Sequence, residues 1–173
     1  MTKNILLVGV GGQGTILASK LLTQGLMEAG YDVKMSEIHG MSQRGGSVSS
    51  QVRFGEKVES PVIEKGTADI LIAFEKMEAM RWLNFIRPEG KVIVNDYAIK
   101  SMPILSGAAE YPENALEVLN ENANVSVMNA IQMAEELGNA KVMNVILLGA
   151  TIKAMGLEDI DWEKIINDNV KPA

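Results

Sequence analysis

The sequence predicts a three-layer α/β/α domain with a mostly parallel sheet, one antiparallel hairpin and a Rossmann-like glycine turn at the N-terminus. Three observations carry this. The apolar run Ile5 to Val8 stops at closely spaced glycines, and a helical pattern (Ile16, Leu17, Leu21, Leu22) follows at once. Asp69 to Phe74 is a continuous apolar run of the kind found in strands covered on both faces. Val48, Ser50, Val52 and Phe54 alternate with Ser49, Gln51 and Arg53, a period-two pattern that breaks the strand–helix repeat.

Taken in order, the first helix continues through Lys20 to Gly30, where a glycine is well placed to end it. Tyr31 to Glu37 reads as a second strand, and Ile38 to Gly46 as a loop. Val48 to Phe54 is a strand with one polar face; Gly55-Glu56-Lys57 turns it into Val58 to Ile63, giving the hairpin. Asp69 to Phe74 is a buried strand, Glu75 to Ile86 a helix, Arg87 to Gly90 a turn, and Val92 to Val94 a strand. Ser101 to Gly107 is expected as a short edge segment and Pro112 to Asn120 as a helix with proline near its start. Val125 to Met128 makes a last strand, followed by helices at Asn129 to Leu137, Val142 to Met155 and Asp159 to Asn169. The Val142 helix is apolar almost all round, so it is buried in this core or against another chain.

The chain has 173 residues, a length that suits one domain spanning residues 1–173. Such a length buries roughly 70% of the unfolded surface, enough for a core. A net charge of −6 argues against a nucleic-acid partner, which needs a basic face. The absence of cysteine removes disulfides, iron–sulfur ligation and thiolate nucleophiles from this chain. With one histidine, His39, a metal site built from protein ligands alone is not expected. The N-terminal apolar run is too short for a membrane span, and a cytoplasmic location is the default.

Two stretches are candidates for binding. Gly9, Gly11 and Gly14 fit the G-x-G-x-x-G spacing, with Gly12 and Gln13 inside it and Glu37 after the second strand. Strand, glycine turn and helix leave N–H groups at a helix N-terminus, where a phosphate is favoured. The alternative is that the glycines serve only a tight turn and close helix–strand packing. The other stretch is the loop with His39, Gln43, Arg44, Gly45 and Gly46. A guanidinium beside flexible N–H groups makes an anion site, and His39 can add a donor. The alternatives are a surface ion pair or a partner contact for Arg44, and a turn role without chemistry for His39. No catalytic set appears.

The segments Gly9-Val-Gly-Gly-Gln-Gly14 and Ser36-Glu-Ile-His-Gly-Met-Ser-Gln-Arg-Gly-Gly46 resemble the gamma-type subunits of the 2-oxoacid:ferredoxin oxidoreductases. The Ser36 to Gly46 segment is most similar to the beta subunit of indolepyruvate ferredoxin oxidoreductase. The similarity continues through Ser60-Pro61, Ala68-Asp69, Glu75, Tyr111-Pro112 and Asn144 to Gly149, while the C-terminal tail is shorter than is usual in that family. The resemblance implies a complex that oxidatively decarboxylates indolepyruvate or another aryl pyruvate, reduces ferredoxin and releases an acyl-CoA. It implies thiamine diphosphate, Mg, iron–sulfur clusters and coenzyme A in the complex, with no cofactor carried by this chain. The cofactors other than coenzyme A would sit on a catalytic partner subunit, and ferredoxin would be met through the complex. A homodimer is the arrangement open to the isolated chain. This chain's share would be to complete the complex and to hold coenzyme A phosphates at Gly11 to Gly14 and Arg44.

Two readings from other classes compete: a free-standing NAD-dependent dehydrogenase using the glycine fingerprint and Glu37, and a non-catalytic nucleotide-binding module. Zero cysteines and no Gly-Asp-Gly segment predict that the isolated chain binds neither an iron–sulfur cluster nor thiamine diphosphate. Reconstitution with iron and sulfide is expected to leave the visible spectrum empty, and a stoichiometric cluster chromophore would overturn the reading.

Overall fold

The computed structural model describes residues 1–38 and 45–170. Six strands form one sheet: β1 (Lys3–Val10), β2 (Asp32–Ile38), β3 (Ser47–Gly55), β4 (Ala68–Ala73), β5 (Ile86–Asn95) and β6 (Asn124–Met128). Their spatial order is β2-β3-β1-β4-β5-β6. β1, β4, β5 and β6 run parallel to one another, whereas β3 is antiparallel to both β1 and β2. The sheet is therefore mixed, as expected.

Helices cover both faces. Ile5, Leu7, Ile70, Ile72 and Ile93 point to a core shared with α1 (Thr15–Glu28), α5 (Ala130–Glu136), α6 (Met143–Met155) and α7 (Trp162–Asn169). Leu6, Val8, Leu71, Ala73, Val92 and Val94 point the other way, toward α2 (Lys76–Trp82) and α4 (Ala115–Asn122). The period-two alternation of strand side chains sends each central strand's apolar residues to both layers. This explains why those strands read as continuous apolar runs. α6 buries Met143, Leu147, Leu148 and Ile152 in the first core, so its all-round apolarity serves this chain's own interior. Each such side chain stabilises by about 1.5–3 kcal/mol.

The hairpin lies elsewhere than expected. β3 pairs with β2, and residues Val58 to Ile63 form no strand. That segment crosses the face of β3 instead. The Val58 N–H donates to the Asp32 carboxylate at 2.8 Å and the Ile63 N–H to Gln51 Oε1 at 2.6 Å. Arg53 Nη1 donates to the carbonyls of Ser60 and Val62 at 2.9 and 3.1 Å. The polar face of β3 is therefore an internal docking surface, which satisfies the crossing backbone with side chains.

Two shorter expectations also change. Arg87 to Gly90 lies within β5 as an irregularity: pairing with β4 moves from Ala68↔Ile86 to Ile70↔Lys91. Pro88 has no N–H to give the ladder, and a Cβ on Gly90 would meet Ile86 Cγ1 at 2.6 Å. Ser101 to Gly107 holds a short helix, α3 (Met102–Leu105), because Pro103 sits in its first turn where no backbone donor is needed.

α1 meets α7 at Gly25, where a Cβ would lie 2.4 Å from the Trp162 ring. The ring is fixed because Trp162 Nε1 donates to Leu157 O at 2.8 Å. Gly25→Ala would gain about 1 kcal/mol of helix propensity on its own. Overpacking costs about 1–3 kcal/mol and is the larger effect here. Urea denaturation is expected to show a net loss of up to about 2 kcal/mol; a stabilised variant would show that α7 yields.

Candidate functional site

The first glycine turn sits at the carboxyl end of β1, and its geometry accounts for its residues. A Cβ on Gly9 would come within 3.0 Å of Phe74 Cβ and Thr15 Cγ2. Gly12 and Gly14 have φ of 101° and 82°, the left-handed region that glycine adopts without strain. Gly14 is also the N-cap of α1, and a Cβ there would sit 2.5 Å from Asn144 Nδ2. Asn144 Nδ2 donates to Gly14 O at 3.3 Å. The first-turn N–H groups of α1 have no acceptor within the helix and are the donors this turn offers.

Gln13 folds back on the scaffold. Its Oε1 accepts from the Val10 N–H at 2.8 Å and its Nε2 donates to Phe74 O at 2.9 Å. Asn95 Nδ2 donates to the same carbonyl at 3.2 Å, while its Oδ1 accepts from the Ala130 N–H at 2.9 Å. One carbonyl thus links the ends of β1, β4 and β5 to the start of α5.

The two loops singled out in the sequence meet. The Gly11 N–H donates to Gly46 O at 2.8 Å, and the Gly45 N–H donates to Gly11 O at 3.2 Å. His39, Gln43 and Arg44 lie outside the described residues. Glu37 accepts from Ser19 Oγ of α1 at 2.9 Å. Its strand is the sheet edge, and β3 stands between it and β1. The crossover from β1 through α1 therefore lands one strand farther out than in a dinucleotide-binding unit, where the two strands are neighbours.

The sequence reading missed the polar centre beside these loops. Glu75 is fully buried at the N-cap of α2, where its carboxylate accepts the Glu78 N–H at 2.9 Å. Its Oε1 also accepts the Ile99 N–H at 3.2 Å and the Tyr111 hydroxyl. The Tyr111 oxygen in turn accepts the Met77 N–H at 3.2 Å. Glu78, also buried, accepts from Ser47 Oγ at the start of β3 and pairs with Arg81 Nε at 3.4 Å. The signal available was an acid directly after a buried strand run with another acid three residues on, a capping arrangement. Burial raises the Tyr111 hydroxyl pKa, reinforced by its bond to Glu75, so it stays a donor at neutral pH. Among the described residues no cluster of His, Cys, Asp or Glu is arranged to hold a metal. No described helix is long and apolar enough to cross a membrane.

Burial also pushes the Glu78 carboxyl above its ordinary range, against the opposing pull of Ser47 and Arg81. A folded-state pKa above the unfolded one means that the protonated form favours the fold. That contribution is complete below the unfolded value and is lost as pH rises through the folded one. Glu78→Gln, which cannot ionise, is therefore expected to gain stability relative to the native chain as pH rises from about 4.5 toward 7. A urea series across that range would show a flat or opposite trend if Glu78 were comfortably ionised.

Comparison with known proteins places this architecture. The sequence profile of the pyruvate ferredoxin/flavodoxin oxidoreductase family matches residues 4–173. Indolepyruvate oxidoreductase subunit IorB of Thermococcus kodakarensis is 44% identical over 109 residues, which is 63% of this chain and 54% of that protein. The IorB subunit of Methanothermobacter thermautotrophicus is 42% identical over 125 residues, 71% of this chain and 63% of that one. The chain thus spans 54% to 63% of the length of these relatives. The gamma subunit of a keto/oxoacid ferredoxin oxidoreductase from Geobacter sulfurreducens superposes with a TM-score of 0.70 at 21% identity, covering 98% of this chain and 87% of that one. The 2-oxoglutarate:ferredoxin oxidoreductase of Magnetococcus marinus gives 0.72 at 19% identity, covering 96% of this chain and 27% of that one. At such identities the likeness is one of fold. The profile match across nearly the whole length settles descent: the chain belongs to the pyruvate ferredoxin/flavodoxin oxidoreductase family.

Proposed function

We propose that this chain is the accessory, gamma-type subunit of a 2-oxoacid:ferredoxin oxidoreductase acting on indolepyruvate or another aryl pyruvate. In that reaction the 2-oxoacid loses carbon dioxide, coenzyme A takes the acyl group as a thioester, and two electrons pass to ferredoxin. The observation that carries the reading is the pairing of Gly11 with Gly45 and Gly46. It joins the two motifs on which the family resemblance rests into one surface at the carboxyl edge of β1. The IorB relatives supply the substrate class.

With no cysteine, this chain has no ligands for an iron–sulfur cluster, and it has no Gly-Asp-Gly segment for thiamine diphosphate. Those groups do not fit its residues and belong to a catalytic partner subunit. Coenzyme A fits better. The first-turn N–H groups of α1 can donate to a phosphate, and Arg44, next in sequence to the paired Gly45, carries the guanidinium that suits the same ligand. The surrounding glycines let a ligand approach the backbone. The competing dinucleotide reading loses support because Glu37 is engaged by Ser19 and its strand is not beside β1.

Co-purification from the native host is expected to bring down a large cysteine-rich chain. The pair should reduce a ferredoxin or viologen dye with aryl pyruvate and coenzyme A. Recovery of the chain alone, with NAD reduction by a 2-hydroxy acid, would overturn the reading. Within the complex, Arg44→Ala is expected to raise the coenzyme A KM or the subunit Kd. A charge-assisted hydrogen bond contributes about 1.5–3 kcal/mol, or roughly tenfold to a hundredfold. Arg44→Lys should rescue in part, since lysine lacks the bidentate fork. If both constants hold while the isolated chain melts several degrees lower, Arg44 is structural and the anion assignment is wrong.

A further inference from the structure

Glu75 and Tyr111 stand far apart in the sequence, belong to the stretches shared with the family, and have no part in the proposed phosphate site. Their contact closes a loop. The chain leaves β5 at Asn95 and does not re-enter regular structure with a core-facing side until Ala115, with only the short α3 between. Both limbs of this excursion are fastened to the start of α2. The Lys76 N–H donates to Tyr97 O at 3.0 Å, and Lys76 Nζ pairs with Asp96 at 2.8 Å. The Ile99 N–H and the Tyr111 hydroxyl converge on one oxygen of the buried Glu75. Between these anchors the backbone satisfies itself: Leu105, Ser106 and Ala108 N–H groups donate to Ser101, Met102 and Pro103 carbonyls at 2.8 to 2.9 Å.

The result is an ordered loop that buries almost nothing. Met102 is 74% and Leu105 63% exposed at its tip. Ordering a backbone costs conformational entropy at every residue, and burial normally offsets it. Here burial is slight, the Glu75 staple and the Lys76 contacts hold the two limbs, and the apolar tip is left for another surface. A long connection without core packing is commonly a functional one.

We propose that residues 97–114 form a docking strap, preformed and positioned by Glu75, on which the partner subunit seats by covering Met102 and Leu105. This rests on the subunit reading above and adds the surface that makes the contact. The strap springs from the carboxyl end of β5, the same sheet edge as the paired glycine loops. A body seated on it therefore faces the edge where coenzyme A is placed. Beside the tip lies a cleft of about 850 Å³ bordered by Lys100, Ile104, Tyr111 and Asn114, which gives that body a recess to enter. Two copies of this chain, each of net charge −6, would bring Glu110 and Glu113 toward like charge at this tip. A stable interface takes roughly 800 Å² from each partner, so the occupant must be a body that covers the tip and the adjoining edge together. Lys100 is the strap's cation, with Glu110 and Glu113 nearby, so the surface does not suit a polyanion.

The test titrates the purified chain against the cysteine-rich, thiamine diphosphate-dependent subunit, identified by its cluster absorbance. Met102→Asp with Leu105→Asp is expected to raise the Kd at least about tenfold, as removal of a central apolar anchor does. The Tm of the isolated chain should not move, and Met102→Leu with Leu105→Met should bind normally. Tyr111→Phe should speed amide exchange of residues 99–111 and weaken binding by a smaller factor. Wild-type binding to the partner with unchanged affinity of the double variant overturns the strap while leaving the subunit reading intact. Loss of self-association with partner affinity retained also overturns it, assigning the tip to a homodimer. Unchanged exchange in Tyr111→Phe removes the positioning role of Glu75. A wild-type chain that does not bind that subunit at all defeats both readings.

Discussion

The carbonyl of Phe74 is the point on which the carboxyl edge of the sheet depends. It lies at the end of β4 and accepts amide donors from Gln13, in the first glycine turn, and from Asn95, at the end of β5. Each of those side chains uses its oxygen as well, on Val10 and on Ala130. Asn95 is fully buried, so losing either of its partners leaves a polar group without water. Such a loss costs about 1–3 kcal/mol per group, whereas a satisfied bond contributes only about 1. The network is therefore a strong constraint on register. It fixes the height of the glycine turn, the start of α5 and the exit of β5 relative to one another.

That constraint changes what the glycines mean. Gly9 is excluded from bearing a side chain by Phe74 and Thr15, and Gly14 by its left-handed backbone and by Asn144. Tight turning and close packing would be reason enough for both. They do not explain why the turn also holds Gly45 and Gly46 against Gly11 through paired backbone bonds. Packing sets the shape of the turn. The loop it captures follows directly on Arg44 in the sequence, so the proposed anion site draws on that loop while packing sets the turn. Structural and binding readings of the motif thus act on different atoms and do not compete.

Much of the fold was legible because central parallel strands are buried on both faces and announce themselves as apolar runs: Ile5 to Val8, Ile70 to Phe74 and Val92 to Val94. Polar features were read less well, for one physical reason. Alternation at Ser49, Gln51 and Arg53 signals a face without apolar partners, which sequence logic assigns to solvent. Here the segment from Val58 to Ile63 lies over it, bonded to Gln51, Arg53 and Asp32, and what read as a hairpin strand is a covering segment. The same blindness hid Glu75 and Glu78. A buried carboxylate is tolerable only with donors brought from distant parts of the chain, here Ile99, Tyr111 and Ser47, and no local pattern displays them. Of the candidate residues, the glycines and Gln13 came together with Gly45 and Gly46, whereas Glu37 turned to Ser19.

The placement of charge follows from what this chain lacks. The chain has no cysteine, and among the described residues no cluster of His, Cys, Asp or Glu is arranged to hold a metal. It can still contribute a rigid edge. Glu75 and Glu78 lie one helical turn apart at the start of α2, and each reaches to a different loop: Glu75 to the 97–114 excursion, Glu78 to the start of β3. The two loops are thereby referenced to a single short helix, itself packed against β1 and β4. Burial raises the pKa of Glu78, with a smaller push from the charge of Glu75, a cost the fold would avoid if either loop were free to drift. Retaining it makes sense when the relative position of the loops matters more than the stability of the isolated chain. That condition is met where another body must touch both loops at once.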